Sequence, residues 1–280
     1  MTQVTQIPTV RLNDGHAIPQ LGYGVFQVPP EDAERVTTLA LEAGYRHIDT
    51  AAAYDNEEGV GRAIRASGLP RDAVYVTTKL WNHNHGRDKA PRALDASLRR
   101  LGLDYVDLYL IHWPNPRQDR YVDTWLASEE LRDAGLTRSI GVSNFTIEHL
   151  ERLARDTTST PAVNQVELHP RFQQTELRAY HHEHGIVTEA WSPLGQGGEI
   201  LEDPTIGAIA NNHRKTPAQV ILGWQLEMGN VTFPKSVTPE RIRENIDVFD
   251  FDLTDEEIKQ IDELDRGQRL GPDPETFGEG

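Results

Sequence analysis

With 280 residues and 37% apolar content, the chain is long enough to bury one large core. It contains no cysteine, which excludes a disulfide framework, a thiol nucleophile and a thiolate-held zinc. Its 28 basic and 44 acidic residues leave a net charge of −16, a field that repels nucleic acid and anionic membrane, so any anionic small ligand would need a local basic pocket.

The stretch MTQVTQIPTVRLNDG carries neither a basic flank nor an apolar core of leader length, and no segment is apolar for long enough to span a bilayer. A cytoplasmic protein is therefore expected. Residues 7–18 predict a hairpin, with apolar alternation broken by Asn13-Asp14-Gly15. Pro19 to Phe26 predicts a brief strand whose glycines allow close backbone approach. It is not a GxGxxG loop, because Gln27 stands where the third glycine would be.

A regular alternation follows. Helical periodicity around Val36, Leu39, Ala40 and Ala43 precedes a strand at 45–48. Helices near 57–67, 89–101, 121–134, 146–155 and 174–184 precede strands at 73–79, 106–112, 138–142, 162–166 and 186–190. A helix opening at Thr216-Pro217 precedes a last strand at 230–233, and short helices are expected at 239–246 and 254–264. Eight strands at a spacing of about thirty residues predict an α/β fold, a (β/α)8 TIM barrel over residues 1–280, with an amino-terminal hairpin cap and extra helices. A doubly wound sheet is the competitor, but the glycine-rich loop it usually carries after its first strand is missing.

The strand ends carry the chemistry. Asp49 and Tyr54 follow the second strand, Lys79 ends the third and His112 ends the fourth. In a barrel these meet at one mouth. Singly they read as a helix cap, a packed ring, a solvated strand end and a satisfied buried histidine. Together they suit proton donation to a carbonyl: a lysine beside a tyrosine lowers the phenol's pKa, an aspartate fixes the lysine, and a histidine orients the oxygen. Tyr75 and Lys79 have the Tyr-x-x-x-Lys spacing, but β-branched VYVTTKL predicts a strand that holds them roughly 13 Å apart.

The segments LNDGHAIPQLGYG, GYRHIDTAAAYDNEEGVG, TTKLW, DLYLIHWP, IGVSNF, NQVELHP and PKSVTPERIREN, in this order over nearly the whole chain, resemble the aldo-keto reductase superfamily. LGYGVFQVPP, AGLTRSIGVSN, SPLGQG, KTPAQ and NIDVFDFDLTD resemble its bacterial 2,5-diketo-D-gluconate reductase branch. The resemblance implies a catalytic tetrad of Asp49, Tyr54, Lys79 and His112, with Tyr54 as general acid in NADPH-dependent reduction of an aldehyde or ketone. It implies that Ser143, Asn144 and Gln165 hold the nicotinamide carboxamide. Trp191 would stack on the ring, and Ser192, Leu194 and Val237 would line the coenzyme. A coenzyme-binding regulatory subunit of the same fold is the alternative function.

The late loop PKSVTPERIREN is the basic pocket that an anionic ligand needs in so acidic a chain. Arg241 can fork onto a phosphate, with Lys235, Ser236 and Thr238 adding donors at a helix start. The plain alternative is a capped helix with a solvated face. The resemblance implies that Lys235, Ser236 and Arg241 grip the 2′-phosphate, with Glu244 and Asn245 on the adenine or ribose side.

Phe26, Trp81 and Trp113 follow strand ends and match the family's substrate-lining positions, beside His112. Loop 192–200 and tail 266–280 are the other expected specificity elements, the tail as a loop over the barrel mouth. His181, His182 and His184 lack metal-ligand spacing and read as a solvated helix end, so no metal is assigned. The resemblance also implies a monomer.

Overall fold

The computed structural model of the chain describes residues 7–278. The first six residues, part of the amino-terminal stretch read above, and the last two of the 266–280 tail lie outside the described residues.

Chain order runs β1 (Thr9–Arg11), β2 (Ala17–Pro19), β3 (Tyr23–Gly24), α1 (Pro30–Ala43), β4 (His47–Asp49), α2 (Glu57–Ala66), β5 (Tyr75–Leu80) and α3 (Ala90–Leu101). It continues with β6 (Val106–Ile111), α4 (Tyr121–Asp133), β7 (Thr137–Ser143), α5 (Ile147–Asp156), β8 (Val163–Glu167), α6 (Thr175–Glu183) and β9 (Val187–Trp191). The last elements are α7 (Pro204–His213), α8 (Pro217–Glu227), β10 (Val231–Thr232), α9 (Pro239–Ile246) and α10 (Asp255–Asp262).

β1 and β2 pair antiparallel, while β3 to β10 form one parallel sheet in sequence order. The sheet closes on itself. Leu21 pairs in parallel with Thr232. Thr232 N–H donates to the Gln20 carbonyl (3.0 Å), Gly22 N–H to that of Thr232 (2.8 Å) and Gly24 N–H to that of Pro234 (3.2 Å). The result is a (β/α)8 barrel, with helices covering the outside. A Cβ on Gly24 would lie 3.2 Å from the Phe233 carbonyl, so the seam uses the close approach that glycine permits. Strand β6 is buried along its whole length because both of its faces are covered, which is why it reads as a near-continuous apolar run.

The hairpin plugs the amino-terminal end. Leu12 and Ile18 pack with Leu108, Leu110, Val163 and Val231 inside the barrel, and Asn13 Nδ2 donates to the Pro161 carbonyl (3.0 Å). The opposite end, where the strands finish, stays free for a site.

Two expectations need correction. The sequence reading places no helix at 204–213, yet α7 stands there. Asp203 accepts from Thr205 N–H (3.0 Å), and Pro204 occupies the first turn. His181 is not solvated. It is fully buried, with Nε2 2.9 Å from Asn164 Nδ2 and Nδ1 2.9 Å from Thr188 Oγ1, and burial lowers its pKa to about 3. Its place four residues after buried Leu177 puts it on the inner face of α6. Among the described residues, no helix is long and apolar enough to cross a membrane.

Candidate active site

β4 ends at Asp49, and the chain then turns sharply. Thr50 N–H donates to the Thr77 carbonyl (3.0 Å) and Ala52–Tyr54 form one 3-10 turn. Asp55 takes the left-handed conformation (φ 55°) that Asp tolerates. Buried Asn56 stitches the turn down. It accepts from Thr50 Oγ1 (2.9 Å) and donates to the carbonyls of Val25 (2.9 Å) and Val28 (3.2 Å). Tyr54 is thereby held, half-buried, at the strand mouth.

Lys79, near the carboxyl end of β5, is completely buried. Its ammonium donates to Asp49 Oδ1 (2.7 Å), the Thr50 carbonyl (2.9 Å) and Tyr54 Oη (3.2 Å). All three of its hydrogens are thus directed. His112 follows β6, with its N–H on the Leu80 carbonyl (3.1 Å) and its ring edge-on to Tyr54, centroids 5.6 Å apart.

Burial opposes the charge on Lys79, but Asp49 and Tyr54 outweigh it and hold its pKa above the usual lysine value. Burial also raises the Asp49 carboxyl, against the pull of Lys79 and Gln165. The 2.7 Å contact marks the two as an ion pair. Burial raises the Tyr54 phenol above its ordinary value; Lys79 does pull it down, as expected from the sequence, but offsets only part of that rise. The phenol is therefore protonated at neutral pH. His112 is pushed well below the usual histidine range by burial and by Lys79, so its ring is neutral, and its Nδ1 has no partner among the described residues.

Ser143 and Gln165, register partners on β7 and β8, and Asn144 just after β7 converge beside this group. Ser143 Oγ donates to the Gln165 carbonyl (2.8 Å), and Asn144 Nδ2 reaches the His112 carbonyl and Ser143 Oγ (both 3.0 Å). Asn144 Oδ1 accepts from Trp191 Nε1 (2.8 Å), and Gln165 Nε2 donates to Asp49 Oδ2 (2.9 Å). Ser192 and Leu194 continue from Trp191, Ser192 with positive φ (50°) and Leu194 packed on the core.

The loop after β10 leads into α9. Tyr23 Oη donates to the Ser236 carbonyl (2.5 Å), Ser236 Oγ accepts from Thr238 N–H (3.1 Å), and Tyr45 Oη donates to the Ile242 carbonyl (3.2 Å). Lys235, Val237 and Arg241 stand exposed around it. Among the described residues neither Lys235 nor Arg241 has an ion pair, although acidic side chains outnumber basic ones in the chain. Asn245 is buried, while Glu244 accepts from Thr216 Oγ1 (2.7 Å) and so also serves the start of α8. Two unpaired cations, backbone N–H groups and a hydroxyl at a helix start form a donor set that fits a phosphate.

Phe26 is 49% exposed and leans on Tyr54 (centroids 5.1 Å), while Trp81 stands edge-on to His112 (5.1 Å). Phe277 from the tail packs on Trp113 (4.4 Å) and faces Trp81 (6.2 Å), so the tail does lie over the mouth. What ties it there is not marked by any motif in the sequence. Glu167 at the end of β8 accepts from Leu270 N–H (2.6 Å) and Gly271 N–H (2.8 Å), with His169 Nε2 3.1 Å away. Burial works against the Glu167 charge, but these donors outweigh it and hold the carboxyl below its ordinary value. A Cβ on Gly271 would come within 2.3 Å of the Trp191 ring, so only glycine lets the tail cross that face so closely.

The fold is a parallel (β/α)8 barrel in which an aspartate, a lysine, a phenol and a neutral histidine meet at the strand mouths. Residues 19–266 match the Aldo/keto reductase family, and the chain belongs to this family of oxidoreductases. An aldo-keto reductase of Mycolicibacterium smegmatis is 58% identical over 270 residues, covering 96% of this chain and 98% of the relative. The methylglyoxal reductase DkgA of Escherichia coli K12 is 52% identical over 273 residues, covering 97% and 98%. A crystal structure of a Gox0644 mutant in complex with NADPH superposes with a TM-score of 0.94 at 46% identity, covering 98% of this chain and 99% of that one.

Proposed function

We propose that the protein is an NADPH-dependent carbonyl reductase, and that Tyr54 is its general acid. The observation that carries this reading is the buried chain from Asp49 through Lys79 to the half-buried Tyr54 hydroxyl, with contacts of 2.7 and 3.2 Å. NADPH, when bound, supplies the hydride. The chain's own residues manage the proton. Tyr54 holds it on Oη and releases it to the substrate oxygen as that oxygen gains charge. The Lys79 ammonium stabilises the phenolate left behind, and Asp49 keeps the ammonium charged and aimed. The neutral His112 ring beside Tyr54 orients the carbonyl oxygen.

The donor sets also fit the coenzyme. Lys235, Ser236, Thr238 and Arg241 would take the 2′-phosphate, with Val237, Glu244 and Asn245 around the adenosine. Trp191, Ser192 and Leu194 would line the nicotinamide half. Both Gln165 Nε2 hydrogens and both Asn144 Nδ2 hydrogens are used within the protein, so Gln165 and Asn144 would meet the carboxamide through their oxygens. Phe26, Trp81, His112 and Trp113 would enclose a small carbonyl substrate. Methylglyoxal reduction by relatives named DkgA supports a dicarbonyl class, of which 2,5-diketogluconate is a larger member.

The test is NADPH absorbance with purified protein against simple aldehydes, methylglyoxal and 2,5-diketogluconate. Carbonyl-dependent loss of NADPH is expected. Tight NADPH binding with no turnover on any of them would favour a regulatory subunit instead. Arg241→Ala is expected to raise the Kd for NADPH by about 10- to 100-fold, the weight of a charge-assisted contact, and that for NADH by less than about threefold. Equal weakening in a fluorescence titration would sink the 2′-phosphate assignment.

A further inference from the structure

Glu189 is a carboxyl group with no solvent exposure, on β9, inside the barrel and beneath the site. Its Oε2 lies 2.9 Å from Gln165 Nε2, the same nitrogen that lies 2.9 Å from Asp49 Oδ2. One amide group thus bridges Glu189 to the Asp49–Lys79–Tyr54 chain. The ionised Asp49 fixes which way that amide faces, since a turned-over amide would aim its carbonyl oxygen at the carboxylate. Glu189 Oε1 has no hydrogen-bond partner among the described residues. A carboxylate with one bare, buried oxygen is far costlier than the neutral acid. The titratable groups facing Glu189 are Asp49 on β4 and Lys79 and Tyr75 on β5. β8 contributes only the Gln165 amide, and on β10 the register neighbour is apolar Val231.

We propose that Glu189 is a positioning residue of the reductase site: acting through Gln165 and Asp49, it sets how readily Tyr54 gives up its proton. The inference rests on the reductase reading. Burial, and then the nearby Asp49 charge, raise the Glu189 pKa to about 8. The sign follows. Below that pH Glu189 is neutral, and the buried Asp49–Lys79 pair balances. Above it a second negative charge sits beside Asp49 and opposes formation of the Tyr54 phenolate, so proton donation slows.

The experiment compares kcat for reduction at pH 7 and pH 9 in the native enzyme and in Glu189→Gln, with Tyr54→Phe as control. The native kcat is expected to fall about tenfold between these pH values, as the neutral form of a group titrating near 8 is depleted. In Glu189→Gln the fall should be less than about threefold. The same fall in both enzymes, or none in the native one, overturns the proposal. A general loss of stability would change kcat at both pH values and leave their ratio intact. If the variant does not fold, the native protein decides the matter by infrared titration. A protonated-carboxyl stretch that disappears near pH 8 is expected, and its absence overturns the proposal. Lack of any Tyr54-dependent turnover would instead overturn the reductase reading, and this inference with it.

Discussion

Tyr54→Phe is expected to bind NADPH as the native protein does and to lose kcat by about 100- to 10,000-fold, the range that a positioned general acid supplies. The substitution removes one oxygen and keeps the ring. Packing on Phe26 (5.1 Å) and on His112 (5.6 Å), and the Lys79 ammonium 4.8 Å from the ring centroid, need not change. The hydroxyl's hydrogen bond from the Lys79 ammonium is worth about 1.5–3 kcal/mol of stability, less than the whole stability of a typical domain. A loss of turnover without a loss of binding therefore isolates the proton. Single-turnover NADPH oxidation and a binding titration check it together. Turnover within about threefold of native would remove Tyr54 as the acid and direct attention to the neutral His112 ring.

Lys79→Met should be the most damaging single change to both activity and stability. Methionine fills similar volume but leaves Asp49 buried, deprived of its ammonium and held only by Gln165. Removing one member of a buried ion pair costs about 3–5 kcal/mol, because the remaining charge is stranded. Asp49 would answer by taking up a proton, a response its raised carboxyl pKa favours. Adding Asp49→Asn should accordingly recover part of the lost stability, although turnover stays lost. Urea unfolding of the two single variants and the double variant measures this coupling. Additive losses would mean that the two groups do not depend on each other energetically.

The barrel is legible in the chain because parallel strands covered on both faces must be apolar nearly throughout. A polar residue that ends such a run then stands out. Asp49, Lys79 and His112 announce themselves in this way, and Ser143 and Gln165 follow from motif likeness. Glu189 and Glu167 do not stand out. Each lies within or at the end of a short mixed strand, and only the closed barrel reveals that the first faces inward and the second receives the tail. Phe277 and Gly271 belong to a segment with no period, so their contacts with Trp113 and Trp191 come from tertiary placement alone. His181 was within reach of helical spacing, since Leu177 lies one turn earlier. α7 was within reach of its Asp203-Pro204 start. The Tyr54 pKa was not, because burial is a property of the whole site.

The closing seam has a consequence for how the protein comes into being. Tyr23 holds the Ser236 carbonyl, and Gln20 and Gly22 pair with Thr232, so contacts that brace the loop before α9 join positions 213 residues apart. A chain emerging from the ribosome displays Asp49, Tyr54, Lys79 and His112 early. The sheet that carries them keeps two raw edges, at β3 and at the latest strand made, until residues 230–246 arrive. Unpaired parallel edges invite pairing with other chains. Synthesis that stalls before that point leaves Asp49, Tyr54, Lys79 and His112 on an adhesive sheet, without the loop that is proposed to grip the coenzyme.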